Sequence, residues 1–166
     1  MSNSDSSPPA LTGLPTSPVP LDMCGMADAA KLLGDAWTLL ILRQVFYGVT
    51  RFDDLKRELE MSSATLSNRT ARLVEIGMLE KRQYREEGSR PRAQYLLTDK
   101  GRSFGVVLWA MMEWADANLA KDKSPLDLVD PKTGERLELA LTDRQGRITQ
   151  WSDAVPVVRT DQIATR

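Results

Sequence analysis

One stretch of the chain, Ser62 to Met78, places small polar and cationic side chains at helical spacing in the sequence SSATLSNRTARLVEIGM. Leu66, Thr70 and Leu73 recur at three- and four-residue steps, so they share one face of a helix. The opposite face has no bulky apolar residue and could approach the edges of DNA bases closely. A helix that is simply solvated on this side would show the same pattern, so the neighbouring elements decide between the two interpretations.

The polar groups of this helix differ in the chemistry that they offer to DNA. The amide of Asn68 can pair bidentately with adenine, and the hydroxyl of Ser67 can donate or accept a hydrogen bond. Arg69 and Arg72 are suited to phosphate oxygens. The predicted DNA-contacting residues of the helix are Ser63, Ala64, Ser67, Asn68, Arg69 and Arg72.

The elements on either side predict how this helix is presented. Ser62 or Ser63 can cap its start, and Gly77 can end it. Before it, Arg51–Glu60 (RFDDLKRELE) has the spacing of a short helix with one apolar face. Two short helices joined by a tight polar turn are the helix-turn-helix arrangement, in which the second helix is the recognition helix.

After Gly77 the apolar period changes toward two, which predicts a β hairpin with strands at Met78–Tyr84 and Ala93–Leu97. A hairpin that follows a recognition helix and carries arginines at its tip is a wing. Arg90 and Arg92 could extend the DNA footprint along phosphates or into a minor groove. The alternative is an ordinary charged turn, because Glu86 and Glu87 share the tip.

Residues 21–48 predict two further helices. The first ends at Gly34, and Asp35 can cap the second, whose sequence is AWTLLILRQVFYG. This second helix is apolar almost all round, which is typical of a helix buried in a core. Its predicted central core residues are Trp37, Leu40, Ile41 and Val45.

A long helix is predicted from Thr98, with an apolar stripe wider than a small hairpin can cover. Part of the stripe is expected to meet the first helix of its own chain, and part a second copy related by a twofold axis. The C-terminal segment could cover it instead. The predicted dimer-interface residues are Met26, Leu33, Leu108, Met111, Met112, Ala115 and Leu119.

The chain as a whole is predicted to be mainly α-helical with a small β hairpin: a winged helix-turn-helix with a long C-terminal dimerisation helix and a short β appendage. Residues 1–20 are rich in Ser and Pro and are predicted to be a disordered tail. Residues 21–121 form the predicted DNA-binding and dimerisation domain. Residues 122–166 form the appendage, with strand-like runs at Leu126–Val129, Leu137–Thr142 and Arg147–Trp151 and a frayed end after Val158.

Composition excludes several classes of function. The absence of His and the single Cys argue against a zinc site, an intrachain disulfide and the commonest general base, and we expect no metal or cofactor. No apolar run approaches the roughly 18 residues of a membrane span, so a cytoplasmic location without membrane contact is expected. The net charge is −1, but residues 51–100 hold 11 Lys or Arg against 9 Asp or Glu. DNA binding would therefore depend on where individual arginines lie.

The order of elements resembles the HxlR-type branch of the MarR-like winged-helix transcription regulators. The resemblance covers Leu21 to Lys121 and is carried by Cys24 before the first helix, then by LLGDAWTLLILRQVFYG, RFDDLKREL, LSNRTARLVEIGML and YLLTDKGRSF. It implies a dimeric DNA-binding repressor or activator whose dimer contacts come from the first and last helices. Two positions depart from the family pattern: Thr70 replaces the usual Leu, and Gly25 follows the cysteine where Pro is common.

The resemblance also implies a role for Cys24, because several HxlR-type regulators sense quinones, aldehydes or oxidants through a cysteine at this position. The amino end of a helix favours a thiolate. The alternative is a small, half-buried residue near the dimer seam.

The predicted function is a homodimeric, sequence-specific transcriptional regulator, most simply a repressor, with double-stranded DNA as its partner and a small-molecule or oxidant effector. The alternative is a winged-helix interaction or assembly module that does not bind DNA. An enzyme is the least favoured class, since no glycine-rich cofactor loop or catalytic cluster is present.

Overall fold

A computed structural model of the chain describes Ser17 and residues 19–85, 90–119 and 124–158. These residues divide into two compact units, one of residues 29–125 and one that joins the described residues before Ala29 to those after Pro125. The predicted disordered tail, apart from Ser17, Val19 and Pro20, lies outside the described residues. The four residues at the hairpin tip, 86–89, and the predicted frayed end after Val158 also lie outside them.

The described elements follow the predicted order, with six helices and two hairpins. The helices are α1 (Gly25–Leu33), α2 (Ala36–Phe46), α3 (Phe52–Glu58), α4 (Ser63–Glu75), α5 (Asp99–Ser103) and α6 (Gly105–Asn118). The strands are β1 (Leu79–Tyr84), β2 (Arg92–Leu97), β3 (Leu141–Thr142) and β4 (Ile148–Thr149). Short 3₁₀ turns lie at Leu21–Met23 and Trp151–Asp153.

The core of the larger unit is built around α2. Ile41 and Leu42 are fully buried, and they belong to one apolar cluster with residues of α3, α4 and the β1–β2 hairpin. Burial of Ile41 and Val45 is confirmed, but the predictions for Trp37 and Leu40 were wrong, because these side chains are 40% and 38% exposed. The rest of the chain covers only part of the circumference of α2. A sequence that is apolar on all sides does not predict which side of the helix is buried.

Capping side chains fix where the central helices begin. The Asp35 carboxylate accepts a hydrogen bond from the Thr38 N–H (3.1 Å) at the start of α2. The Ser62 hydroxyl accepts one from the Thr65 N–H (3.1 Å) at the start of α4, as its sequence predicts. Between α3 and α4 the chain turns through Glu60, whose backbone is left-handed (φ 51°). The helix-turn-helix is therefore present.

The hairpin β1–β2 is antiparallel and pairs Leu79 with Leu97 and Tyr84 with Arg92. The segment before α3 adds to its edge, since the Tyr95 N–H donates to the Thr50 carbonyl (2.7 Å). The sheet thus ties the start of α3 to the strand that returns from the tip, and the wing is fixed to the helix-turn-helix.

The predicted long helix is two helices. Thr98 caps the first of them, α5, through the Gly101 N–H (3.0 Å), but the helix stops after Ser103 and α6 begins at Gly105. A Cβ built at Gly105 would lie 2.7 Å from the Phe46 ring, so this glycine lets α6 approach α2 closely. The sequence pattern missed the break because Phe104 keeps the apolar spacing across it.

The C-terminal segment contains less strand than predicted. Only β3 and β4 form a hairpin, and a single bridge pairs Val129 with Arg136. Their turns are held by aspartates: Asp130 accepts from the Lys132 N–H (2.7 Å), and Asp143 from the Gln145 N–H (2.8 Å). No described residue after Pro125 is buried.

Candidate nucleic-acid interface

Helix α4 separates a buried face from a polar one. Leu66, Thr70 and Leu73 are fully buried, and the Thr70 hydroxyl is satisfied by donating to the Leu66 carbonyl (2.8 Å). This local bond explains how a polar residue can occupy a fully buried position. The exposed residues of the helix are Ser63, Ala64, Ser67, Asn68, Ala71, Arg72 and Glu75, with Arg69 half-exposed at their edge.

Two side chains at the centre of this face make no hydrogen bond within the described part of the chain. Within the described part of the chain, neither the Asn68 amide nor the Ser67 hydroxyl has a hydrogen bond with another protein group. Their donors and acceptors are therefore available to a partner that replaces water.

The two arginines of α4 have different neighbours. Arg72 lies 2.8 Å from Glu75 on the same helix, and both side chains are at least half exposed, so the pair contributes little and leaves the guanidinium accessible. Arg69 instead reaches another element: its Nε lies 3.5 Å from Oδ1 of Asp35, at the start of α2. This pairing between two helices could not be predicted from local sequence patterns.

Cations on and beside the wing add to those of α4. Arg90 is exposed and has no ion pair with a described residue, whereas Arg92 lies 3.6 Å from Asp53 at the start of α3. The guanidinium of Arg51, a residue outside the predicted DNA contacts, stacks 4.7 Å from the centroid of the Tyr84 ring. Tyr84 is the last residue of β1 before the hairpin tip, so its ring holds this cation beside the tip end of the wing.

The predicted sensor, Cys24, is half-buried and lies between the first 3₁₀ turn and α1. Its carbonyl accepts the Asp28 N–H (3.1 Å), so the residue forms the start of the helix. No described group of three or more His, Cys, Asp or Glu could hold a metal ion.

Several apolar side chains of the larger unit are exposed among its described residues. Helix α6 has 14 residues and none is buried; Met111 is 48% and Trp114 59% exposed. Of the predicted interface residues, Leu108 packs against the core, Leu33 is buried in it, and Met112 and Ala115 are half-buried. Leu119 is 70% exposed in the larger unit, and Met26, which belongs to the other unit, is 81% exposed. Further exposed apolar residues, outside the predicted dimer interface, are Trp37, Leu40, Tyr47 and Val106.

The fold and this surface define a winged helix-turn-helix protein. Residues 32–123 match the family described as HxlR-like helix-turn-helix, and the chain belongs to that family.

Individual relatives agree with this assignment. Rv3095 of Mycobacterium tuberculosis, described as an uncharacterized HTH-type transcriptional regulator, is 39% identical over 97 residues, which are 58% of this chain and 60% of that protein. The chain thus spans about 60% of the length of the first curated relatives that it matches.

Among the described residues, no helix is long and apolar enough to cross a membrane.

Two solved structures extend the similarity beyond the helix-turn-helix. The candidate transcription factor PA1607 is 30% identical, with a TM-score of 0.68 over 82% of this chain and 94% of that one. The candidate transcription factor PA1374 of Pseudomonas aeruginosa is also 30% identical, with a TM-score of 0.55 over 80% and 90%. The share matched to PA1607 exceeds what the residues before Leu126 can supply, so the similarity reaches the C-terminal segment.

Proposed function

We propose that this protein is a sequence-specific DNA-binding transcriptional regulator that acts as a homodimer. The observation that carries the proposal is the exposed polar face of α4, whose Asn68 and Ser67 side chains are unengaged within the described chain. In a helix-turn-helix the second helix enters the major groove with its amino-terminal part toward the bases. Ser63 and Ala64 lie in that part of α4. Small side chains there allow the backbone to come close to the base edges.

The contacts divide into base readout and phosphate binding. Asn68 is the proposed direct reader, because an amide can donate to adenine N7 and accept from adenine N6 at the same time. Arg69 and Arg72 flank it and are proposed to bind phosphates. Arg90 and Arg92 extend the phosphate contacts through the wing.

The dimer follows from the uncovered apolar residues of α6. Met111 and Trp114 of α6 remain 48% and 59% exposed, and exposed apolar surface of this kind favours an interaction site. A twofold copy would provide an identical surface to cover it. Two recognition helices about 34–36 Å apart would then reach successive major grooves. Repression is the simplest action, since a dimer bound over a promoter blocks access to it.

Replacing Arg90 with Ala tests the wing. The variant should bind all DNA sequences more weakly, by about threefold to tenfold, and the slope of log affinity against log salt should become shallower by about one per subunit. A fluorescence titration at several salt concentrations measures both quantities. Arg144→Ala, which removes an exposed arginine from the turn before β4, is the matched control and should change neither. Equal slopes for wild type and Arg90→Ala would exclude a phosphate contact. No binding of genomic fragments by the wild type would favour the protein-interaction module.

We also propose that Cys24 makes DNA binding responsive to oxidants or thiol-reactive molecules. It is half-buried rather than enclosed in the core, so a small reagent can reach it. Treatment with diamide or a quinone is expected to change the affinity of the wild type for its DNA at least fivefold, whereas Cys24→Ser should not respond. An identical response of both proteins would show that the reagent acts elsewhere.

A further inference from the structure

The carboxylate of Asp35 contacts two helices, α2 and α4. It caps α2 by accepting from the Thr38 N–H (3.1 Å) and from the Thr38 hydroxyl, and its Oδ1 lies 3.5 Å from Nε of Arg69 on α4. Thr38 is only 4% exposed, so its two donors occupy fixed positions in the core. The carboxylate is thereby fixed relative to the helix-turn-helix.

The Asp35 side chain is also stabilised in its ionised form. Burial alone would raise the pKa of this carboxyl, but the two hydrogen bonds from Thr38 and the nearby charge of Arg69 outweigh burial and hold the pKa below its ordinary value. Asp35 therefore presents a full negative charge to Arg69 at neutral pH.

The contact to Arg69 engages one edge of the guanidinium group. The ion pair is made through Nε, and within the described chain Arg69 has no other partner. The two terminal Nη groups, which form the fork that matches a phosphate, remain available. The side chain is 42% exposed, so this fork is accessible to a ligand.

We propose that Asp35 is a positioning residue for DNA binding: it holds Arg69 by Nε so that the Nη groups face a DNA phosphate beside the recognition helix. This proposal rests on the proposed function of α4. An arginine that is already held loses less side-chain freedom when it binds, and its fork is presented in one orientation. The pair also links the start of α2 to the middle of α4 through two residues that lie 34 positions apart in the sequence.

Asp35 could also act in the opposite direction, by competing with DNA for Arg69 or by repelling phosphates. The two actions predict opposite signs. If Asp35 positions Arg69, removal of its charge weakens binding. If it competes or repels, removal strengthens binding.

A double-mutant cycle separates these effects. Asp35→Asn removes the charge but keeps a good capping group for α2. It is combined with Arg69→Ala, and affinity is measured for a genomic fragment that the wild type binds. We expect Asp35→Asn to weaken binding about fivefold and Arg69→Ala about tenfold, and the double variant to bind like Arg69→Ala alone. Unchanged or tighter binding by Asp35→Asn would overturn the proposal, as would an equal loss in the Arg69→Ala background.

Glu75→Gln is the matched control. It removes one carboxylate from the other arginine of α4, Arg72, in a pair made within one helix. If loss of negative charge near the helix dominated, both substitutions would strengthen binding. We expect Glu75→Gln to leave the affinity unchanged or slightly increased, in contrast to Asp35→Asn.

An NMR measurement without DNA tests the pair by itself. The Nε–Hε group of Arg69 should be ordered in the wild type and mobile in Asp35→Asn, while that of Arg72 should not change. An ordered Arg69 in Asp35→Asn would overturn the positioning role. If the wild type bound no DNA, the proposed function and this inference would fail together; normal binding by Asp35→Asn would remove only the inference.

Discussion

Replacing Gly101 with Ala is expected to destabilise the larger unit by about 2–4 kcal/mol, since it forces an atom into a closely packed site. A Cβ at this position would lie 2.1 Å from the carbonyl oxygen of Met78 and 3.1 Å from Cδ2 of Leu97. The first of these neighbours is backbone, so no rotation of a side chain relieves the contact. Urea denaturation followed by circular dichroism gives the free energy of unfolding.

The surroundings of Gly101 resist adjustment. The Thr98 N–H donates to the Met78 carbonyl (3.1 Å), and the Lys100 ammonium donates to the Ile76 carbonyl (2.8 Å). These bonds join the end of α4 to the start of α5, so a shift at Gly101 also moves the wing relative to the recognition helix. Gly25→Ala is the control, since a Cβ there meets nothing within 4 Å, and its stability should change by less than about 0.5 kcal/mol. An equally stable Gly101→Ala protein would show that this junction is not closely packed.

Replacing Trp114 with Glu is expected to give a monomer and to lower affinity for DNA by about a hundredfold or more. The indole is 59% exposed in one chain, so the fold of the subunit loses little when it is removed. If Trp114 lies in the proposed dimer interface, a carboxylate at this position would be desolvated without a partner. Each monomer would then bind one half-site alone, without the gain from linked binding of the second. Sedimentation velocity gives the oligomeric state, and a DNA titration gives the affinity.

A conservative variant and a stability measurement serve as controls for the proposed dimer. Trp114→Phe keeps the apolar character and should remain a dimer with nearly normal affinity. The unfolding midpoint of Trp114→Glu at low protein concentration should match that of wild type at the same concentration, because both are then monomers. A dimeric Trp114→Glu protein would place the interface elsewhere.

The recognition helix could be predicted from the sequence because its determinants are local. The Ser62 cap, the spacing of Leu66, Thr70 and Leu73, and the left-handed Gly77 (φ 73°) lie within one stretch of chain. Periodicity assigns such a helix and its buried face without knowledge of its neighbours. The residues on the opposite side of the helix then define its polar face.

Features that depend on contacts between distant segments could not be predicted. The pairing of Asp35 with Arg69 arises only when α2 and α4 pack together. Gly105, which begins α6 just after the break, packs closely against Phe46, nearly sixty residues earlier in the chain. Hydrophobic patterning also cannot distinguish a side chain that is buried within its own chain from one that is exposed and can contact another molecule. Trp37 and Leu40 were assigned to the core for this reason, although they are exposed.

The most direct test of the central claim, that the exposed face of α4 reads DNA sequence, is selection of bound fragments from random-sequence DNA by the wild type and by Asn68→Ala. The wild type should enrich an inverted repeat whose halves lie about one helical turn apart. Asn68→Ala should enrich the same repeat with the preference lost at one base pair in each half. Enrichment of no sequence by the wild type, or of the identical sequence by both proteins, would contradict the role proposed for this helix.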